Sequence, residues 1–392
     1  MRAGVGHSSA GNARTAAAEA TAAALAQAGL SRARGAFVFA SSGYGSAYPL
    51  ILRTVAAEAG TAEVVGCSAL GVIAGEHELE SKAALAVMVV GGEGIEAHRL
   101  FVPSLRSLPD SGGVEVATWA RPLLGTQNLL CLLVDSYNAN PQTLVTALER
   151  DLPGVTVVGG GATEDGRTGE TSQFCGDTVS SNALAAMLLS GDFEVDVGVS
   201  LACTPLGPTH TVTAVRNNII VELDGRPAFE LFAQAAGALV QDPRRAVAFV
   251  FLATPFDRDV ERLLPGNYLV RNILGFSAES GVVAVASHPL VGDRVGFALR
   301  DATGARNDLK ATLEAMRSRL KGTPAFGLYF DCVSRGSGLY GIAGHDSAYI
   351  RRYFGDFPVA GFFTGFEIGE VRGAAEVLQY TGVLALVSRS GS

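Results

Sequence analysis

The sequence predicts an α/β fold of two packed lobes. It reads as repeated βαβ-like units in mixed sheets, with an antiparallel segment in the C-terminal lobe. Three observations carry this. The chain has 392 residues, 48% of them hydrophobic, and a single core stops growing near ~250–300 residues. One strand–loop–helix–strand–loop unit recurs three times along it. Between the second and third copies the pattern changes to polar/apolar alternation, as in antiparallel strands.

The N-terminus, MRAGVGHSSAGNARTAAAEATAAALAQAGL, is Ala-rich and interrupted by Glu19. It lacks the Leu/Val/Phe-rich stretch of a signal peptide and reads as a helix capped by Asn12. The first copy opens with AFVFASSGYG (36–45). Its helix follows Pro49 and stops at Gly60, and its second strand and loop are VVGCSALGVIAG (64–75). The second copy opens with LLCLLVDSYNANP (129–141), where Asn140-Pro141 is a helix start. Leu144, Leu148 and Leu152 share one helical face, and VTVVGGGATEDG (155–166) follows.

The alternating stretch holds FEVDVGVSLACTP (193–205) and HTVTAVRNNIIVELDGRPAF (210–229), with turns at Asn217-Asn218 and Asp224-Gly225. AVAFVFLATP (246–255) reads as a buried strand and 281–301 as a hairpin. An amphipathic helix over 307–322 stacks Leu309, Leu313, Met316 and Leu320. The third copy opens with FGLYFDCVSRGSG (326–338), has a helix from Asp346 or Ser347 to Gly355, and ends in PVAGFFTGFEIG (358–369). The turn SGD before Phe193 divides an N-terminal lobe, 1–192, from a C-terminal lobe, 193–392.

Strands this apolar, each followed by a helix, belong to parallel pairs buried on both faces. Right-handed crossovers place both loops of each unit at the strands' carboxyl ends, where open α/β sheets bind ligands. Three copies therefore predict a crevice between strand-end loops for a small polar molecule.

Composition narrows the partners. A net charge of −8 and no basic run argue against nucleic acid. No stretch of ~18 apolar residues predicts a membrane span. Five widely spaced cysteines without a C-x-x-C pair argue for reduced thiols in the cytoplasm, with no metal site.

The residues quoted above, together with NNIIVELDGRPAFELF (217–232), NYLVRNILGF (267–276) and the closing block DCVSRGSGLYG to VAGFFTGFEIGEV (331–371), resemble the FIST family in both its N-terminal and C-terminal parts. The closing block, Cys-x-x-Arg-Gly then Gly-Phe-Phe-x-x-x-Glu-Ile-Gly, is the most specific element. Two positions depart. Phe366 stands where the family has Gly before the Glu, and Gly71-Val72-Ile73 replaces a common Gly-Glu-Ile. The resemblance implies a cytoplasmic sensory domain binding small ligands, amino acids among them. With no room for a kinase, cyclase or DNA-binding module, its output would pass through a separate signalling partner. Some family members resemble haem-binding nitric oxide sensors, and others recruit substrates to ubiquitin ligases.

The expected ligand-binding set is Cys67, Ser68, Gly160, Arg271, Cys332, Arg335, Thr364 and Glu367. Arg335 either clamps a ligand carboxylate or pairs with Glu367 across the lobes. Arg335 and Glu367 together would hold both charges of a free amino acid. Arg271 is either a second anion clamp or the partner of a carboxylate such as Asp301. Asp135 and Asn138 read as turn makers. Cys332 and Cys67 read as packed residues; as nucleophiles of a hydrolase or acyltransferase they would need a histidine in reach. Other readings are non-covalent haem, with His288 or His345 as axial ligand, and an interaction scaffold with a filled pocket. No known catalytic motif is present.

Overall fold

The computed structural model describes residues 1–80, 83–107, 112–257 and 260–390. These separate into two compact units, both of them discontinuous in sequence. The first holds Met1–Val199, Thr312–Val377 and Thr381–Ser392, and the second Ser200–Ala311 and Leu378–Tyr380. The sequence division at 192/193 is a single cut; the units are not.

The first unit contains the repeat. Each copy supplies an outer strand, a first strand, a second strand, a hairpin and a return strand. In copy one these are Arg2–Ser8, Gly35–Ser41, Val64–Ala69, the pair Gly71–Ala74 and His77–Glu80, and Leu85–Gly91. In copy two they are Ile95–Val102, Gln127–Val134, Thr156–Gly161, the pair Gln173–Cys175 and Thr178–Ser180, and Leu184–Gly191. In copy three they are Phe193–Leu201, Phe326–Cys332, Val359–Thr364, the pair Glu367–Val371 and Ala374–Leu378, and Thr381–Arg389.

First and second strands pair in parallel in every copy, and the return strand pairs antiparallel with the first. The hairpins are exchanged. Copy one's hairpin extends copy three's sheet, copy two's extends copy one's, and copy three's extends copy two's. Each six-stranded sheet is therefore built from two copies.

The parallel pairs share a local requirement. Gly66, Gly159 and Gly361 each lie beside the carbonyl of the facing first-strand residue, Val38, Leu132 or Tyr329. A Cβ there would fall well inside van der Waals contact with that oxygen, so only glycine fits. This is why a V-x-G-x-x-[A/T] pattern recurs at the start of all three second strands.

The helices form where expected. Asn12 caps Ala13–Ala28 by accepting from the Thr15 N–H at 3.1 Å, and Gly29 ends it with φ 61°. That helix turns an alanine face (Ala16, Ala17, Ala20, Ala24) to the outer strand Arg2–Ser8. The strand was not foreseen; its Gly4 and Gly6 let it approach the helix backbone. Tyr48–Ala59 ends at Gly60, and Pro141–Asp151 is capped by Asn140. In copy three the crossover holds two helices, Gly336–Tyr340 and His345–Phe354.

The second unit is a seven-stranded sheet whose pairings are all antiparallel, closed by an extra pairing of Cys203–Arg216 with Ile219–Leu223. The expected turns are there, with Asn217 at φ 55° and Asp224-Gly225 at 50° and 71°. Three expectations need correction. Residues 246–249 are helical, because Asp242-Pro243 is a helix start whose carboxylate accepts from the Arg244 and Arg245 N–H groups; the strand begins at Val250. The 281–301 segment is no hairpin. Val282–Val285 pairs with Tyr268–Ser277 and Ile219–Leu223, while Arg294–Arg300 pairs with Val250–Pro255 and Cys203–Arg216. The connecting stretch carries Pro289, which cannot donate to a ladder. The helix expected over 307–322 spans Ala302–Arg319 and starts where Asp301 accepts from the Gly304 N–H at 2.8 Å.

Candidate functional site

The underside of each first strand meets the crossover helices, and there the copies differ. Strand register makes Val38, Leu132 and Tyr329 equivalent, and likewise Ala40, Val134 and Asp331. In copy one, Val38 and Ala40 pack on Ile51, Leu52 and Val55. In copy two, Leu132 and Val134 pack on Leu144, Val145 and Leu148. Both interfaces are hydrocarbon.

In copy three the same place holds a buried ionic network. Arg335 is 1% exposed. Its Nε lies 2.7 Å from Asp331 Oδ1 and 3.1 Å from Asp346 Oδ2, and its Nη2 lies 2.7 Å from Asp346 Oδ2. Nη2 also donates to the Tyr340 hydroxyl at 2.9 Å. The Tyr329 hydroxyl donates to Asp346 Oδ2 at 2.7 Å and sits 3.3 Å from Asp331 Oδ1. His345 Nδ1 is 3.0 Å from Asp346 Oδ1, and its ring stacks on Tyr340 with centroids 3.8 Å apart.

Two acids share one guanidinium, and they resolve differently. Burial works to raise Asp346, but the charge of Arg335 and hydrogen bonds from His345, Arg335 and Tyr329 outweigh it and hold Asp346 below the usual carboxylate range. Burial, then the negative charge of Asp346, drives Asp331 well above that range. Of the two acids, Asp346 is pulled toward its charged form and Asp331 toward its protonated form. Asp331 Oδ2 is buried with no hydrogen-bond partner. A buried acid with an unanswered oxygen is costly and unusual in a settled core.

Copy one's exchanged hairpin braces this region. Glu80 accepts from the Ser337 N–H at 2.8 Å and the Ser337 hydroxyl at 2.9 Å. Glu78 accepts from the Gly344 N–H at 3.0 Å and the Ser347 N–H at 2.8 Å. Carboxylates thus sit at the starts of both short helices, where the backbone N–H groups are otherwise unpaired.

A second buried acid lies at the same strand ends. Glu367 is fully buried. It accepts from the Thr364 hydroxyl at 2.5 Å, and from the Thr381 hydroxyl and N–H at 2.7 and 3.1 Å. Burial pushes it up to about 7, against these bonds and one from the Cys332 thiol. The Ser334 hydroxyl donates to Cys332 Sγ at 3.1 Å. Gly160 pairs with Glu367 in the sheet, and a Cβ on it would lie 2.7 Å from Thr364 Cγ2.

Of the eight expected ligand residues, Gly160, Cys332, Thr364 and Glu367 stand together. Ser68 joins them through backbone links between copies. Its hydroxyl donates to the Thr163 carbonyl at 3.0 Å, and the Thr163 hydroxyl donates to the Phe363 carbonyl at 2.6 Å. Arg335 pairs with Asp331 and Asp346 rather than Glu367. Cys67 is fully buried, and burial pushes its thiol well up. Arg271 belongs to the second unit, where one guanidinium N–H donates to the Val270 carbonyl at 2.9 Å. Asp135 makes the expected turn, accepting from the Tyr137 and Asn138 N–H groups at 2.8 and 2.7 Å. Of the two histidines weighed as haem ligands, His345 bonds Asp346 through Nδ1 and His288 is exposed. Sequence reasoning missed Asp331, Asp346, Tyr329 and Tyr340. The signal was available: laid over its two sister strands, FGLYFDC puts a tyrosine and an acid where the others have aliphatic residues.

Family models match almost end to end, the FIST N domain over residues 35–226 and the FIST C domain over 228–370. The chain belongs to the FIST family. FIST domains are small-ligand sensory domains of signalling proteins. Similar proteins include the uncharacterized protein Rv0628c of Mycobacterium tuberculosis strain H37Rv, 33% identical over 387 residues, covering 98% of this chain and 99% of the relative. The uncharacterized protein Mb0898c of Mycobacterium bovis is 32% identical over 324 residues, 82% of each chain. A crystal structure of cyanuric acid hydrolase from A. caulinodans aligns with 100% of this FIST chain and 99% of its own, at 11% identity and a TM-score of 0.38. No helix of the described residues is long and apolar enough to cross a membrane.

Proposed function

We propose that this FIST protein is a sensory module that reads a small polar ligand, an amino acid, at the strand ends of copy three and passes the signal to a separate partner. The observation that carries this is the replacement of an apolar interface by a buried ionic network in one copy of three. A network that served stability alone would be a poor choice, because well-packed hydrocarbon in such a place is as stable or more so. Local departures of this kind mark functional sites.

The chemistry suits a carboxylate. Burial and the charge of Asp346 push Asp331 toward its protonated form, and a carboxyl in that form holds a guanidinium less tightly than an ionised one. An incoming carboxylate therefore outcompetes Asp331 for Arg335. Glu367, titrating near neutrality, ionises readily beside a cation. The cover over Arg335 is the segment 336–344, with Gly336, Gly341 and Gly344 at φ 54°, 75° and 73°. Left-handed glycines at both ends of a five-residue helix give it hinges.

The test is a thermal-shift screen of the free amino acids on the whole chain, since a ligand that binds only the native state raises its melting temperature. At least one should raise it, and Thr364→Val should weaken that response. No shift with any amino acid would sink this ligand class. One observation favours a second reading, an interaction scaffold. Phe366 fills the space beside Gly161, where a Cβ would lie 2.6 Å from its ring. Under that reading the protein co-purifies with a partner and ignores every amino acid.

A further inference from the structure

The three exchanged hairpins each bring one side chain to the same place. Register sets the match. Val72 faces Phe362, Gln173 faces Cys67 and Glu367 faces Gly160, each of them the residue after the shared glycine, Gly361, Gly66 or Gly159. Copy one fills the position with hydrocarbon and copy two with an amide. The Gln173 amide is fully buried, and it bonds the Thr171 hydroxyl at 3.1 Å and the Ala183 backbone. An uncharged side chain of the same shape as glutamate therefore closes this position, and copy three carries the acid instead.

That acid meets a hydroxyl with two oxygens in reach. The Thr364 hydroxyl lies 2.5 Å from Glu367 Oε1 and 3.1 Å from the Asp331 carbonyl oxygen. It has one hydrogen, and an ionised Glu367 has none to give. Both contacts are hydrogen bonds only when Glu367 is protonated: Oε1–H donates to Thr364, and Thr364 donates to the Asp331 carbonyl. With Glu367 ionised, Thr364 turns to Oε1 and the Asp331 carbonyl loses that donor. Oε2 accepts from the Thr381 hydroxyl and N–H in either state.

The elements packed on Glu367 leave its charge poorly matched. The first strand of copy three presents the Cys332 thiol, which bonds the carboxyl, and the Asp331 carboxyl, which the charge of Glu367 helps to raise. Tyr329 on that strand turns its hydroxyl to Asp346, and Arg335 is held by Asp331 and Asp346. The second strands Thr156–Gly161 and Val359–Thr364 have no titratable side chain. Glu370 and Glu376 lie along the hairpin itself, and the only charge of the return strand is Arg389 at its far end. Burial therefore keeps the proton on Glu367 up to about 7.

We propose that Glu367 is a proton-reading site: protonated, it ties the first strand of copy three to the second through Thr364 and the Asp331 carbonyl, and deprotonated, it takes Thr364 for itself and releases the strand end that carries Asp331. Its charge then also favours the protonated form of Asp331, which loosens the hold on Arg335. Loss of the proton opens the network and gain of it closes the network. The consequence for ligand reading rests on the function proposed above, while the proton step is tested with no amino acid present.

Infrared difference spectra of the whole chain between about pH 6 and about pH 8 follow protonated carboxyl groups, and NMR of a chain labelled with carbon-13 at the aspartate carbonyls follows Asp331. Raising the pH should remove a protonated-carboxyl band with a midpoint near 7 and move the Asp331 carbonyl signal with the same midpoint. Glu367→Gln, the side chain that copy two already carries at this position, should abolish both changes. Thr364→Val should keep the loss of the band and abolish most of the movement at Asp331, and Thr364→Ser should restore that movement. The proposal is overturned if no such band is lost in this range, if its loss persists in Glu367→Gln, or if Asp331 follows pH in Thr364→Val as it does in the natural protein. A chain that passes these tests and ignores every amino acid would keep the proton site and remove the amino-acid reading alone.

Discussion

Copies one and two close the same strand–helix interface with Val38, Ala40, Leu132 and Val134, and copy three closes it with Tyr329, Asp331, Arg335 and Asp346. Backbone, register and the invariant glycine are shared. The fold therefore does not demand ions there. What the difference teaches is that the strand–helix interface of this unit can be closed by hydrocarbon alone, as two copies close it, so the ionic network of the third needs a reason other than the backbone architecture. Burying Arg335 with two acids is costly, and hydrogen bonds with His345, Tyr329 and Tyr340 offset part of that cost.

The comparison breaks most visibly at Arg335. Removing it by Arg335→Ala leaves Asp331 and Asp346 without their cation and should cost about 3–5 kcal/mol in urea unfolding. Leu148→Ala in copy two should cost about 2–5 kcal/mol by opening a cavity. The two differ in kind: the Arg335 loss should be partly recovered by also changing Asp346 to Leu, whereas no single polar change recovers Leu148. A recovery of nothing would mean the acids were not the source of the cost.

Glu367 sharpens the comparison through pH. Its folded value, about 7, lies above the ordinary 4.5. Between those values the native state binds more protons than the unfolded one, so stability falls as pH rises through that window. The contribution is complete below about pH 4.5 and lost above about 7, on the order of 3 kcal/mol. Glu367→Gln should flatten that slope, and unfolding measured at pH 5 and pH 8 checks it. An unchanged slope would place the titration elsewhere.

The smallest expected effect lies at the link between copies. Ser68→Ala removes the bond to the Thr163 carbonyl and leaves the Ser172 N–H, now 2.9 Å from the Ser68 hydroxyl, unanswered. The loss should be about 1–3 kcal/mol by urea unfolding, and any amino-acid response should persist.

Much of the fold was legible. Asn12, Asn140-Pro141 and Gly60 marked helix ends because caps and stops are local chemistry. The three V-x-G strands showed through because one backbone contact forces the glycine each time. The exchange of hairpins was not legible, since nothing local tells Gly71–Ala74 to pair with Val359–Thr364 rather than its own copy. The pairing of 281–301 failed for the same reason: alternation reveals a strand but not its neighbour. At the site, Arg335 and Glu367 were picked out by residue type. Of their partners, Asp331 was legible only by laying the three first strands over one another, and Asp346 was not, because it lies on a helix that the crossover brings back to Arg335.

The central claim is that copy three's network exists for reading a ligand and not for holding the fold. Recasting it in the image of copy two, with Tyr329→Leu, Asp331→Val, Arg335→Met and Asp346→Leu together, tests this directly. The account predicts a melting temperature equal to or above that of the natural protein, with every amino-acid shift abolished. A variant that melts far lower, or one that stays folded and still responds, would contradict it.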